Sequence, residues 1–198
     1  MTQQTTRIVT VIAAFLGGLI LFAAAIFMFA GRLPTPVPAP SAIGGPFRLV
    51  DQNGAAVTQD DLKGKPTLMF FGFTHCPDIC PTALFDMSEV YKALGRDGDK
   101  LSAFFVTVDP ERDTPEILKE YLSSFDPRLR GLTGDAASVA AMEKAYRVYS
   151  KKIPLDGGDY TMDHTALVYL MDKEGRFVAP FNLKRKPEEA AADLKRYL

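Results

Sequence analysis

The chain has 198 residues, 47% of them hydrophobic, and a formal net charge of −1. With no basic surplus to neutralise phosphates, a nucleic-acid partner is excluded. The two cysteines, Cys76 and Cys80, stand too close together to close a stabilising loop, so redox chemistry or metal binding accounts for them better than a disulfide scaffold does.

Residues 8–30 carry no charge and are bracketed by Arg7 and Arg32. As a helix they would span roughly 34 Å at about 1.5 Å per residue, enough for a hydrocarbon core of about 30 Å. Secretory signals have apolar regions of only about 7–15 residues. Met28-Phe29-Ala30 also makes a poor cleavage site, and no cysteine follows directly to carry a lipid. The segment therefore reads as a transmembrane anchor, with residues 1–7 as a cytoplasmic tail. That tail lacks the Arg-rich amphipathic character of a mitochondrial transit peptide. A bacterial inner membrane with the C-terminal domain in the periplasm is expected. Residues 31–42 alternate prolines, which favour an extended polyproline II spacer.

Residues 43–198 then form one domain, large enough to bury a core without disulfides. Residues 47–51 read as a short strand closed by a turn at Asn53-Gly54. Residues 67–73 (TLMFFGF) are a continuous apolar run, as for a strand buried on both faces. Leu84, Met87, Val90, Tyr91 and Leu94 recur at helical spacing and stop at Gly95. A second buried strand covers 101–108. Thr114 caps a helix with Pro115 at its first position, running towards Phe125. A longer helix covers 136–150, and residues 153–163, with Gly157-Gly158, form a flexible loop or hairpin. A strand at 164–171, a turn at Lys173-Glu174-Gly175, a pairing strand at 176–181 and a helix at 187–197 complete the chain. The alternation predicts an α/β domain, a mixed sheet flanked by helices, with one antiparallel edge.

The cysteines follow directly on the first buried strand, where sites in open α/β sheets form. A helix starting near Pro81 would place both thiols at its N-terminus, where partial positive charge favours thiolate. Spacing of four along a helix brings the Cα atoms within about 6 Å, close enough for a disulfide or for one soft ion. Two thiolates leave the coordination of most metals incomplete. The available imidazoles are His75 and His164. A Cys, Cys, His set suits Cu(I) through its thiolates and Cu(II) through its imidazole, while structural zinc usually takes four protein ligands.

The stretches GFTHCPDICP (72–81), DPERDTP (109–115) and DHT (163–165), with the anchor, resemble the Sco/SenC copper-chaperone family over nearly the whole chain. The resemblance implies a thioredoxin-like fold and one copper ion per domain, Cu(I) or Cu(II), held by Cys76, Cys80 and His164. It is this likeness that places His164 above His75. It further implies a non-enzymatic role in assembling the CuA centre on subunit II of cytochrome c oxidase, with another periplasmic copper chaperone as a candidate donor. The alternative is a thiol-disulfide oxidoreductase, with Cys76 and Cys80 as the redox-active pair, that reduces the target's cysteines or signals redox state. Against it, most such enzymes on this fold carry two residues between their cysteines, where this chain has three, and a proline where Asp163-His164-Thr165 stands. Asp163 is expected to orient His164 or to be a solvated neighbour. Arg112 is expected to bind Asp109 or Asp113, or else a partner. Asp78 is expected at the surface.

Overall fold

The computed structural model describes residues 3–30 and 42–198. The chain divides into two compact units, residues 1–39 and 40–198. In the first, α1 (Gln3–Ala30) begins five residues before the apolar run read from sequence. Its window Val11–Met28 has a mean hydropathy of 2.6 and no residue buried, so it is long and apolar enough to cross a membrane. The expected proline-rich spacer, 31–42, lies outside the described residues apart from Ala42.

The second unit is built on a seven-stranded sheet. Its strands are β1 (Arg48–Asp51), β2 (Ala56–Thr58), β3 (Thr67–Gly72), β4 (Ser102–Thr107), β5 (Leu129–Thr133), β8 (Val168–Met171) and β9 (Phe177–Phe181), in the order β2-β1-β5-β4-β3-β8-β9. The centre, β5-β4-β3, is parallel. β1 and β8 join it antiparallel, one on each side. Antiparallel pairs thus flank both sides, not one as expected. The difference comes from β2 and β5, which the apolar pattern did not reveal. β2 has three residues, and β5 (LRGLT) contains an arginine and a glycine that break the apolar run. Gly131 is there because α3 (Pro115–Leu122) lies directly on the strand: a Cβ would come within 2.8 Å of Leu122.

β3 is buried along its whole length, as its unbroken apolar run requires. Its two faces hold different helices. Phe70 and its β4 partner Phe105 face α3, where Phe105 packs on Tyr121. Phe71 faces the other way, onto Tyr146 of α4 (Ala136–Tyr146). α2 (Ile79–Leu94) buries Leu84, Met87, Val90, Tyr91 and Leu94, the stripe read from sequence, and packs against α5 (Pro187–Leu194).

Helix ends follow their caps. Thr114 Oγ1 accepts the Ile117 N–H, with Pro115 in the first turn. α3 stops at Leu122, before Phe125, and α5 at Leu194, before Tyr197. α4 ends at Tyr146 rather than at residue 150, because Arg147 takes the left-handed conformation (φ 57°). That turn frees Ser150–Pro154 to form β6, which pairs with β7 (Tyr160–His164). Gly157 and Gly158, both at positive φ, make the reversal between them. Residues 153–163 are therefore a paired hairpin. The strand expected at 164–171 is two strands, with His164 ending β7 rather than opening β8.

Gly72, the last residue of β3, lies against the residues that follow. A Cβ there would stand 2.7 Å from the Phe105 ring and 2.8 Å from Cys80 Sγ. Glycine is required because the buried sulfur occupies that space. Gly72→Ala is expected to destabilise the domain by about 1–3 kcal/mol, the usual cost of overpacking a core, as measured by urea unfolding. Unchanged stability would show that the sulfur can move aside freely.

Candidate metal centre

The parallel strands β3 and β4 end side by side, and their C-terminal loops build the site. From β3 the chain turns through Phe73–Asp78, with the Cys76 N–H bonded to the Phe73 carbonyl (3.3 Å), and enters α2. Cys76 lies in this turn, partly exposed, while Cys80 lies in the first turn of α2, fully buried. The Cys80 N–H points at Cys76 Sγ (3.4 Å).

Asp113 fixes this turn from the β4 side. Its carboxylate is buried and accepts three bonds: from Thr74 Oγ1 (2.6 Å), the Thr74 N–H (3.1 Å) and Thr107 Oγ1 (2.6 Å). Burial raises the Asp113 pKa, although these bonds oppose the shift.

His164 arrives from the hairpin. Its Nε2 is 3.7 Å from Cys80 Sγ. Its Nδ1 is 3.1 Å from the Thr165 carbonyl oxygen, which can only accept. Nδ1 therefore donates that bond, which in the neutral ring leaves Nε2 with a lone pair towards the thiols. The ring stands edge-on to Phe73 (5.7 Å) and Phe70 (6.3 Å). Its hydrogen-bond partner is thus a carbonyl, not Asp163. Asp163 is exposed at the rim of the site.

Proximity to a helix N-terminus does not make Cys80 acidic: burial pushes its pKa well up, and the neighbouring Cys76 and Asp113 add to the effect. A metal binding there must displace the Cys80 proton.

The Sγ atoms of Cys76 and Cys80 and a ring nitrogen of His164 all lie within 4.8 Å of one another. Atoms bound to one ion at about 2.0–2.3 Å stand at most about 4.6 Å apart, so a small contraction closes the set. Two thiolates and one imidazole suit copper in either common oxidation state. Among the described residues no other group of three His, Cys, Asp or Glu side chains is so placed. His75, the other histidine, stays outside; it is exposed, with Nδ1 3.1 Å from Thr74 Oγ1. Asp78 is exposed, as expected. A cleft of about 240 Å³ lies beside the cluster, lined by Phe73, Cys76, Pro77, Ile79, Asp163 and His164 among others.

The SCO1/SenC family profile matches residues 36–198. The chain belongs to the SCO1/SenC family. It is 41% identical over 155 residues to an SCO2-like protein of Rickettsia felis, covering 77% of this chain and 76% of that one. Its fold matches the solved structure of Bradyrhizobium japonicum ScoI with copper bound, with a TM-score of 0.77 and 70% identity, over 79% of this chain and 99% of that one. It also matches BsSco, a member of the Sco family of cytochrome c oxidase assembly proteins in which a disulfide switch was identified. That match has a TM-score of 0.62 and 25% identity, over 81% of this chain and 96% of BsSco. The thioredoxin-like expectation is borne out by these neighbours.

Sequence reasoning passed over Gly72, Thr74 and Tyr160. Thr74 and Asp113 lie 39 positions apart, and no local pattern announces their bond. Asp113→Ala would leave two hydroxyls and one amide without their acceptor. The expected loss is about 3 kcal/mol of unfolding free energy in urea. A loss under about 1 kcal/mol would mean that water replaces the carboxylate.

Proposed function

We propose that this protein is a membrane-anchored copper metallochaperone that binds one copper ion through Cys76, Cys80 and His164. The single observation that carries the reading is the convergence of these three ligand atoms from two segments far apart in sequence. The copper-bound ScoI relative supports it. We assign the copper to assembly of the CuA centre on subunit II of cytochrome c oxidase, because BsSco is an oxidase assembly protein on the same fold. A second periplasmic copper chaperone would serve as donor. Helix α1 would hold the protein in a bacterial inner membrane, with the C-terminal domain in the periplasm.

The two thiols divide the work. Cys80 is sealed in the core, whereas Cys76 borders the cleft. Cys76 is the ligand that a partner's thiolate can approach, and exchange of ligands proceeds on that side. His164 adds the nitrogen that Cu(II) prefers and thiols alone do not supply.

A second reading is favoured by one observation: the thiol pair stands close enough to be oxidised together, and BsSco carries a disulfide switch. As a reductase of the target's cysteines, the pair would form one disulfide while a target disulfide gains two electrons and two protons. Redox signalling would use the same couple.

The test is anaerobic Cu(I) titration of the reduced full chain in detergent, followed by Cu(II) spectroscopy. One copper per chain is expected. Cys76→Ser and Cys80→Ser should each lower Cu(I) affinity, and His164→Ala should alter the Cu(II) spectrum. Rapid disulfide turnover without copper binding would overturn the chaperone reading in favour of the reductase. An unchanged Cu(II) spectrum in His164→Ala would remove that residue from the site.

A further inference from the structure

The hairpin that carries His164 stands apart from the main sheet. β6 and β7 pair with each other and with no strand of the seven. Their ladder fixes His164 opposite Ser150, and the Thr165 N–H bonds the Tyr149 carbonyl. These contacts are internal to the hairpin and its base. They hold it together without setting its distance from Cys80.

Met162 is buried in the core and the His164 ring meets Phe70 and Phe73, but the polar link to the rest of the domain lies at the other end of β7. The Tyr160 hydroxyl donates to Asp109 Oδ1 (2.9 Å). The Arg112 guanidinium lies 3.8 Å over the Tyr160 ring. Its Nη1 donates to the Tyr160 carbonyl (2.9 Å) and to Asp159 Oδ1 (3.3 Å), and its Nε donates to Asp109 Oδ2 (2.5 Å). Asp109 is itself buried, with its backbone N–H bonded to Thr107 Oγ1 (2.9 Å). Lys152 adds an outer contact, 4.5 Å from the Tyr160 ring and 2.6 Å from Glu111. Arg112 also lies 6.0 Å over the Phe73 ring, against which His164 stands edge-on.

This arrangement is poorly explained as a device for stability alone. Arg112 is largely buried, and its Nη2 has no partner among the described residues. Burying a charge with an unsatisfied donor is costly, and apolar packing generally stabilises at least as well. The same seven-residue stretch also contains Asp113, which holds the cysteine turn through Thr74. One segment therefore grips both halves of the site.

We infer that Asp109, Arg112 and Tyr160 form a clasp that positions His164 opposite the thiols. The inference rests on His164 being a copper ligand. None of the three is among the proposed ligands; each acts through the hairpin. The clasp should therefore matter for the oxidation state that needs the imidazole and little for the one that the thiols satisfy.

The test compares wild type, His164→Ala, Arg112→Met and Tyr160→Phe, each as the full chain in detergent. Hydrogen exchange of the metal-free protein is read first. Amides of residues 160–164 are expected to exchange at least about tenfold faster in Arg112→Met, with those of β3 unchanged. Chelator competition then gives both affinities. Cu(II) binding is expected to weaken about 10–100-fold in Arg112→Met, the usual range for groups that orient a ligand, and less in Tyr160→Phe. Cu(I) binding should change less than about threefold, and Arg112→Met should add nothing in the His164→Ala background. Equal weakening of Cu(I) and Cu(II) would overturn the inference by showing a general structural role. If His164→Ala weakens Cu(II) binding and Arg112→Met does not, the clasp alone is overturned. If His164→Ala leaves Cu(II) binding unchanged, the ligand assignment is what fails.

Discussion

The bond between Asp113 and Thr74 is the constraint on which the site depends. The cysteine turn leaves β3 with no strand partner of its own, and Asp113 holds it by a side chain and a backbone amide together. The carboxylate is itself immobilised by Thr107 at the end of β4. Because β3 and β4 are parallel neighbours, their ends deliver both partners to the same place. A buried carboxylate is unfavourable unless hydrogen-bonded, so these bonds are hard to break one at a time. The turn that carries Cys76 is thereby tied to the ends of β3 and β4.

The thiols are not equivalent. Gly72 admits Cys80 Sγ into the packing of Phe70 and Phe105, where burial disfavours its thiolate. Cys76 borders a cleft that Pro77, Ile79 and Asp163 also line. A soft ion held between them would have one sheltered ligand and one accessible ligand. That asymmetry fits the metallochaperone role proposed above.

His164 introduces a different kind of dependence. It comes from a two-stranded hairpin outside the main sheet, and aromatic edges and the Thr165 carbonyl orient its ring. In the sequence the DPERDTP stretch stood out only through the family resemblance, with Arg112 expected to bind Asp109 or Asp113, or else a partner. In the fold it contacts both the cysteine turn and the hairpin, through Asp113 on one side and Asp109 with Arg112 on the other.

Much was legible in the amino-acid sequence alone. The unbroken apolar runs revealed β3 and β4, helical spacing revealed α2, and Thr114-Pro115 marked the start of α3, because these signals are local and follow from backbone period and capping. The pairing of the two cysteines was equally local. What the sequence could not decide was contact at a distance. β5 was hidden because Arg130 and Gly131 interrupt its pattern, and Gly131 is explained only by Leu122 packing on it. The turn at Arg147 converted an expected helical end into the start of the hairpin. His164 was separated from His75 by resemblance, not by its own surroundings. Only the tertiary fold put its Nε2 3.7 Å from Cys80, because residues 84 positions apart meet by the packing of sheet, turn and hairpin, and no local periodicity encodes that.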